Sequence, residues 1–198
     1  MSTALGHAAI NMLFETTPSQ TVGPYLAIGL PFEGGPSAAP VGAPGRIRIT
    51  GSVFDGAGVL VPDHLIEVWG PDGDGLFADL HGYGGGSPVA GFRGFARYGV
   101  EDGDGSFELF TLKPGRVPTP AGVAQAPHLD VTLFARGMLD RVVTRIYFAD
   151  EAEANAADPT LARIPADRRR TLLAQPTSDG YRFDIHLQGD RETVFFDV

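Results

Sequence analysis

Apolar and polar residues alternate with a period of two along several short stretches of this chain. Arg46-Ile47-Arg48-Ile49-Thr50 is the plainest case, and the pattern is that of a strand with one buried face. Residues 65–69, 92–98, 106–112, 129–134 and 142–148 read as further strands. Turns at 55–58, 72–75 and 102–105 separate some of them, because Asp-Gly sequences favour the backbone angles that tight turns require. Residues 151–157 and 166–174 are rich in Ala, Glu, Arg and Leu and read as helices. Residues 181–187 and 192–197 predict a closing hairpin around Gly189-Asp190. Eight or nine short strands with one helical insertion predict an all-β fold, a β-sandwich.

Proline changes the picture at the start. Thr17-Pro18 and Gly23-Pro24 push their neighbourhoods toward extended backbone. Residues 1–30 therefore read as an extended N-terminal arm that packs on a partner chain, and residues 31–198 as the domain itself. Residues 31–45 form a Gly/Pro/Ala loop. The 27 glycines and 16 prolines are spread between apolar runs, as many tight turns require.

Composition excludes several classes of function. The net charge is −9, and the nearest basic run, Arg168-Arg169-Arg170, sits beside Asp167. A nucleic-acid partner would need a basic face to displace counterions, so none is expected. Cysteine is absent, which removes disulfides and thiolate metal ligands. No apolar run approaches the ~20 residues of a membrane helix, and residues 1–14 lack a basic leader region. A cytoplasmic protein with no membrane partner is expected.

Local motifs point to little chemistry. Calcium loops starting at Asp72 or Asp102 would need an oxygen ligand and a Glu at their fifth and twelfth positions. Those positions hold Leu76 and Tyr83, or Ser106 and Lys113. Dinucleotide, P-loop, nucleophile-elbow and zinc-protease motifs are missing. His128-Leu129-Asp130 would place an imidazole and a carboxylate on one face of a strand. That pair can bind metal or simply close a hydrogen-bond network. His7, His64, His81 and His186 are scattered and read as surface or structural.

Seven stretches taken in order carry more information. They are 17–25 (TPSQTVGPY), 67–69 (EVW), 110–115 (FTLKPG), 126–128 (APH), 133–137 (LFARG), 144–148 (TRIYF) and 192–197 (ETVFFD). Together they resemble the intradiol ring-cleavage dioxygenases from residue 17 to the end of the chain. The resemblance implies a non-haem Fe(III) held by two tyrosines and two histidines, a small catechol substrate such as protocatechuate, and dioxygen. Phenolates suit this ion because they are hard anions that favour the ferric state.

Carried onto this chain, the four ligand positions fall on Phe77, Val117, His128 and Asp130. Phe and Val have no donor atom. The chain thus resembles the family's alpha-type members, which leave iron to a beta-type partner within a higher-order hetero-oligomer. Its metal positions are vestigial, and no catalytic residue is expected in it. The resemblance assigns substrate contacts to Thr21, Gly23, Pro24, Tyr25 and Arg136. Residues 21–25 could equally be an inter-chain packing element, and Arg136 a surface or cross-chain ion pair. Two other readings stay open: a self-sufficient metalloenzyme using His128 and Asp130, and a non-enzymatic β-sandwich binding module descended from such an enzyme.

Overall fold

Nine strands form, the first six of them at stretches where alternation predicts strands. The computed structural model describes residues 23, 25–79, 85–99, 103–119 and 122–197 of the 198. The strands are β1 (Arg46–Phe54), β2 (His64–Trp69), β3 (Phe95–Gly99), β4 (Ser106–Leu112), β5 (His128–Ala135), β6 (Val142–Phe148), β7 (Leu173–Pro176), β8 (Tyr181–Arg182) and β9 (Ile185–His186). They hydrogen-bond along the path β3-β2-β5-β6-β7-β8-β1-β4, with β9 added to β1. The short strands β7 and β8 link two larger leaves, β3-β2-β5-β6 and β1-β4, which face each other as an all-β sandwich.

The inward positions of both leaves make one core. Ile66, Val68, Leu129, Val131, Leu133 and Ile146 meet Ile49, Val53, Phe107 and Leu109, all essentially inaccessible to water. Burial of that apolar surface is the main force holding the leaves together. Gly51 is required at the contact. A Cβ there would lie 1.9 Å from the Phe183 carbonyl oxygen and 2.3 Å from the Phe107 ring.

A second, smaller core lies beneath the insertion, where Tyr147 packs with Ala126, Leu161, Ile164 and Leu172. Lys113 fastens this side to the rest. Its Nζ lies 2.7 Å from Asp150 Oδ2 and 2.8 Å from Glu151 Oε1, and the Tyr181 hydroxyl donates to the same Asp150 oxygen at 2.8 Å. Burial works against the Lys113 ammonium, but these bonds outweigh it and raise its pKa.

Three expectations change. Residues 166–174 do not form a helix; a 3-10 turn (Arg169–Leu172) runs straight into β7. There Leu173 and Ala174 pair in parallel with Tyr147 and Phe148, and a free sheet edge overrides the helix preference of Ala and Leu. The closing hairpin is also replaced. Residues 181–186 add to β1 as β8 and β9, while the following segment crosses to β6, where Phe196 bridges Val143. Only the mutual bonds of His186 and Thr193 survive from the expected pairing. Finally, Tyr25–Gly29 is a short helix, α1, rather than the extended end of an arm. The second helix, α2 (Ala152–Ala156), falls inside its expected range, and β3 starts at Phe95 instead of residue 92.

Candidate functional site

Strand β5 carries His128 and Asp130 on the face turned away from the main core. Its alternation sends Leu129, Val131, Leu133 and Ala135 inward. The antiparallel register with β6 then sets His128 opposite Tyr147 and Asp130 opposite Arg145. Residues two apart on each strand share a face, so the four side chains form one cluster.

The cluster is a closed hydrogen-bond network. Arg145 Nε donates to Asp130 Oδ1 at 2.8 Å. Arg145 Nη1 reaches the Tyr147 hydroxyl oxygen at 3.3 Å and Thr160 Oγ1 at 3.4 Å. The Tyr147 hydroxyl donates to Asp158 Oδ1 at 3.3 Å. Asp158 is fully buried and accepts the backbone N–H groups of Thr160, Leu161 and Ala126, each at 2.8 Å. Three backbone donors therefore share one carboxylate.

His128 stands beside this network with Nδ1 2.7 Å from the Ala126 carbonyl oxygen. The carbonyl can only accept, so Nδ1 carries the proton in the neutral ring. Burial, helped by the charge of Arg145, lowers the imidazole pKa. Burial also pushes the Tyr147 phenol up to about 12. Both groups are thus held neutral beside the Arg145–Asp130 ion pair.

The other two vestigial positions reach the same end of the sheet through loops. Phe77 follows the turn at 72–75, and the Gly115 N–H donates to the Asp72 carbonyl at 2.7 Å. That bond ties the turn to the loop bearing Val117, which bridges Gln125 just before β5. The two loops touch so closely that a Cβ on Gly115 would lie 2.2 Å from the Gly73 carbonyl oxygen. Phe77 remains 38% exposed, so its ring is not packed into a core among the described residues.

These residues do not fit a ferric ion. Phe77 and Val117 offer no oxygen donor, Asp130 is engaged by Arg145, and His128 already uses Nδ1. Among the described residues no group of three or more His, Asp or Glu is arranged to hold a metal.

Arg136 lies elsewhere. It follows the last residue of β5, is 62% exposed in its side chain, and pairs with Asp63 through Nη2. At about 3.3 Å per residue it stands roughly 25 Å along the strand from His128. It cannot serve a site at the His128 corner of its own chain. Gly23 is half-buried with φ of 70°, and Tyr25 opens α1. Thr21 and Pro24 lie outside the described residues. Sequence reading missed Arg145, Tyr147, Asp158 and Thr160. The two-residue spacing of Arg145 and Tyr147, matching that of His128 and Asp130, was the available signal.

Comparison with known proteins agrees with this geometry. Residues 36–189 match the Dioxygenase_C family, described as Dioxygenase. The chain belongs to the intradiol dioxygenase family. Its enzymes depend on iron. The protocatechuate 3,4-dioxygenase alpha chain of Burkholderia cepacia is 44% identical over 202 residues, covering 93% of this chain and 98% of that one. The beta chain from the same organism is 30% identical over 158 residues, covering 73% of this chain and 65% of that one. Among solved structures, the dioxygenase domain of a carbohydrate-binding fusion from Streptomyces sp. SirexAA-E superposes with a TM-score of 0.53 at 25% identity, covering 88% of this chain and 99% of that one. No helix among the described residues is long and apolar enough to cross a membrane.

Proposed function

We infer that this chain is the alpha subunit of a protocatechuate 3,4-dioxygenase, which uses dioxygen to open protocatechuate between its hydroxyls to 3-carboxy-cis,cis-muconate. One observation carries the assignment. The chain matches an alpha chain over nearly the full length of both, and Phe77 and Val117 stand where oxygen donors would be required. Fe(III) then belongs to a beta chain with a complete ligand set, and ring cleavage takes place there.

The alpha subunit contributes binding and shape. By the resemblance, Thr21, Gly23, Pro24 and Tyr25 would shape the substrate pocket, and a proline among them would leave less ordering entropy to lose when substrate docks. Arg136 offers an exposed guanidinium suited to an aromatic carboxylate. Its distance from His128 favours service to the partner's site rather than to a site in this chain. Residues 1–30 act as the arm that engages the beta chain, in a complex of several alpha–beta copies in the cytoplasm.

The test is reconstitution. Purified alone, the chain should lack iron and ring-cleaving activity; co-purified with its beta partner, the mixture should hold Fe(III) and cleave protocatechuate. A tyrosinate-to-iron absorption band from this chain alone would sink the assignment.

A further inference from the structure

Beside the Asp130–Arg145 pair, the outer side of β6 opens into a cavity of about 650 Å³. Residues 160–168 wall one side and residues 192–197 the other. The lining has an apolar part, with Val143, Ile164, Val194, Phe195 and Phe196, and a cationic part, with Arg145, Arg163 and Arg168.

The three guanidinium groups are incompletely bonded. Arg145 uses Nε and Nη1 on Asp130, Tyr147 and Thr160, leaving Nη2 without an acceptor among the described residues. Arg168 donates Nη2 to the Glu192 carbonyl oxygen at 2.8 Å, but its Nε is buried and has no acceptor among the described residues. The Arg163 side chain has no hydrogen bond or ion pair among the described residues. A buried donor without an acceptor is costly, and native proteins rarely leave one unfilled. Of the three, Arg168 Nε is the buried donor, while the exposed Arg163 guanidinium is free to turn toward the oxygens of a ligand.

We propose that the cavity is a binding site for a small monoanionic aromatic carboxylate, held by Arg163 and Arg168 with its ring against Phe195 and Phe196. Guanidinium forks match the planar geometry of a carboxylate. The volume suits one small organic molecule, and the apolar wall favours a ring over a bare inorganic anion. Glu192 and Asp197 also line the space, so a second negative charge on the ligand is disfavoured.

Fluorine NMR titration of 4-fluorobenzoate into the intact assembly tests the idea, since this probe has no vicinal hydroxyls to cleave. Two classes of binding are expected. Arg163→Ala should weaken one class by about tenfold, as loss of a charge-assisted bond implies, and leave the other class, iron content and protocatechuate cleavage unchanged. Arg163→Lys should recover part of the loss. The proposal is overturned by a single class indifferent to Arg163→Ala. It is equally overturned if inorganic phosphate displaces the probe at equal concentration, which would make the cavity a simple anion hole.

Discussion

The two faces of strand β5 differ in what they do, although their residues alternate one by one along the same backbone. The inward face, Leu129, Val131, Leu133 and Ala135, is apolar and inaccessible to water. Non-directional burial holds it. The outward face begins with His128 and Asp130, which are held by bonds of defined length to Ala126 and Arg145. Phe77 and Val117 supply no oxygen donor, and the inward face does not depend on them. On the outward face, Arg145, Tyr147 and Asp158 close a protein-only network. One strand thus carries an apolar face that holds the fold and a polar face closed by hydrogen bonds.

Removing the network's anchor should have the largest effect. Asp158→Ala strands three backbone N–H groups, two of them in buried bonds, and a loss of roughly 3–5 kcal/mol is expected in urea unfolding. A loss under 1 kcal/mol would show that the outward face contributes little to stability. Truncating the inward face comes next. Leu133→Ala should cost about 3 kcal/mol through lost burial and the cavity left behind, with no change in the iron content of the assembled enzyme. Asp130→Ala removes a partner of Arg145 that is itself 45% exposed. Solvent screening limits its cost to about 1 kcal/mol.

Acid should act on the buried imidazoles. His64 is also buried, and burial lowers its pKa as it does that of His128. The unfolded chain therefore takes up these protons first, at about pH 6.5. The stability that the neutral rings contribute is complete above that value and is lost as pH falls through their lower folded values. Melting temperatures measured from pH 8 to pH 5 should decline below about 6.5, and His64→Phe should flatten part of the decline. The smallest stability change belongs to Arg136→Ala, roughly 0–1 kcal/mol for so exposed a pair. Its effect should appear instead as a raised KM for protocatechuate with iron content unchanged; lost iron would make Arg136 structural.

Strand positions were readable wherever alternation was clean. Strands β4 and β6 occupy the residues that period-two patterning assigns, 106–112 and 142–148. Residues 166–174 were misread because their composition favours a helix, whereas their conformation depends on an open edge at Tyr147 and Phe148, some 26 residues earlier in register. The final segment was misread for the same reason, since β1 and β6 compete with its local hairpin. At the site, the lack of any donor atom on the Phe77 and Val117 side chains was visible in the residues themselves. The Arg145–Asp130 pair required knowledge of register, and Asp158 gave no signal because its role arises from burial against backbone that folds back from 126 and 160–161.

The sequence by itself determined which strand faces are apolar and which donor atoms each position can offer. Both follow from side-chain identity at each position. Tertiary structure alone decided which strand lies beside which, where Arg136 stands relative to His128, and how the orphaned polar face was closed. Those outcomes depend on pairings between distant segments, whose free energy is absent from any local stretch of chain.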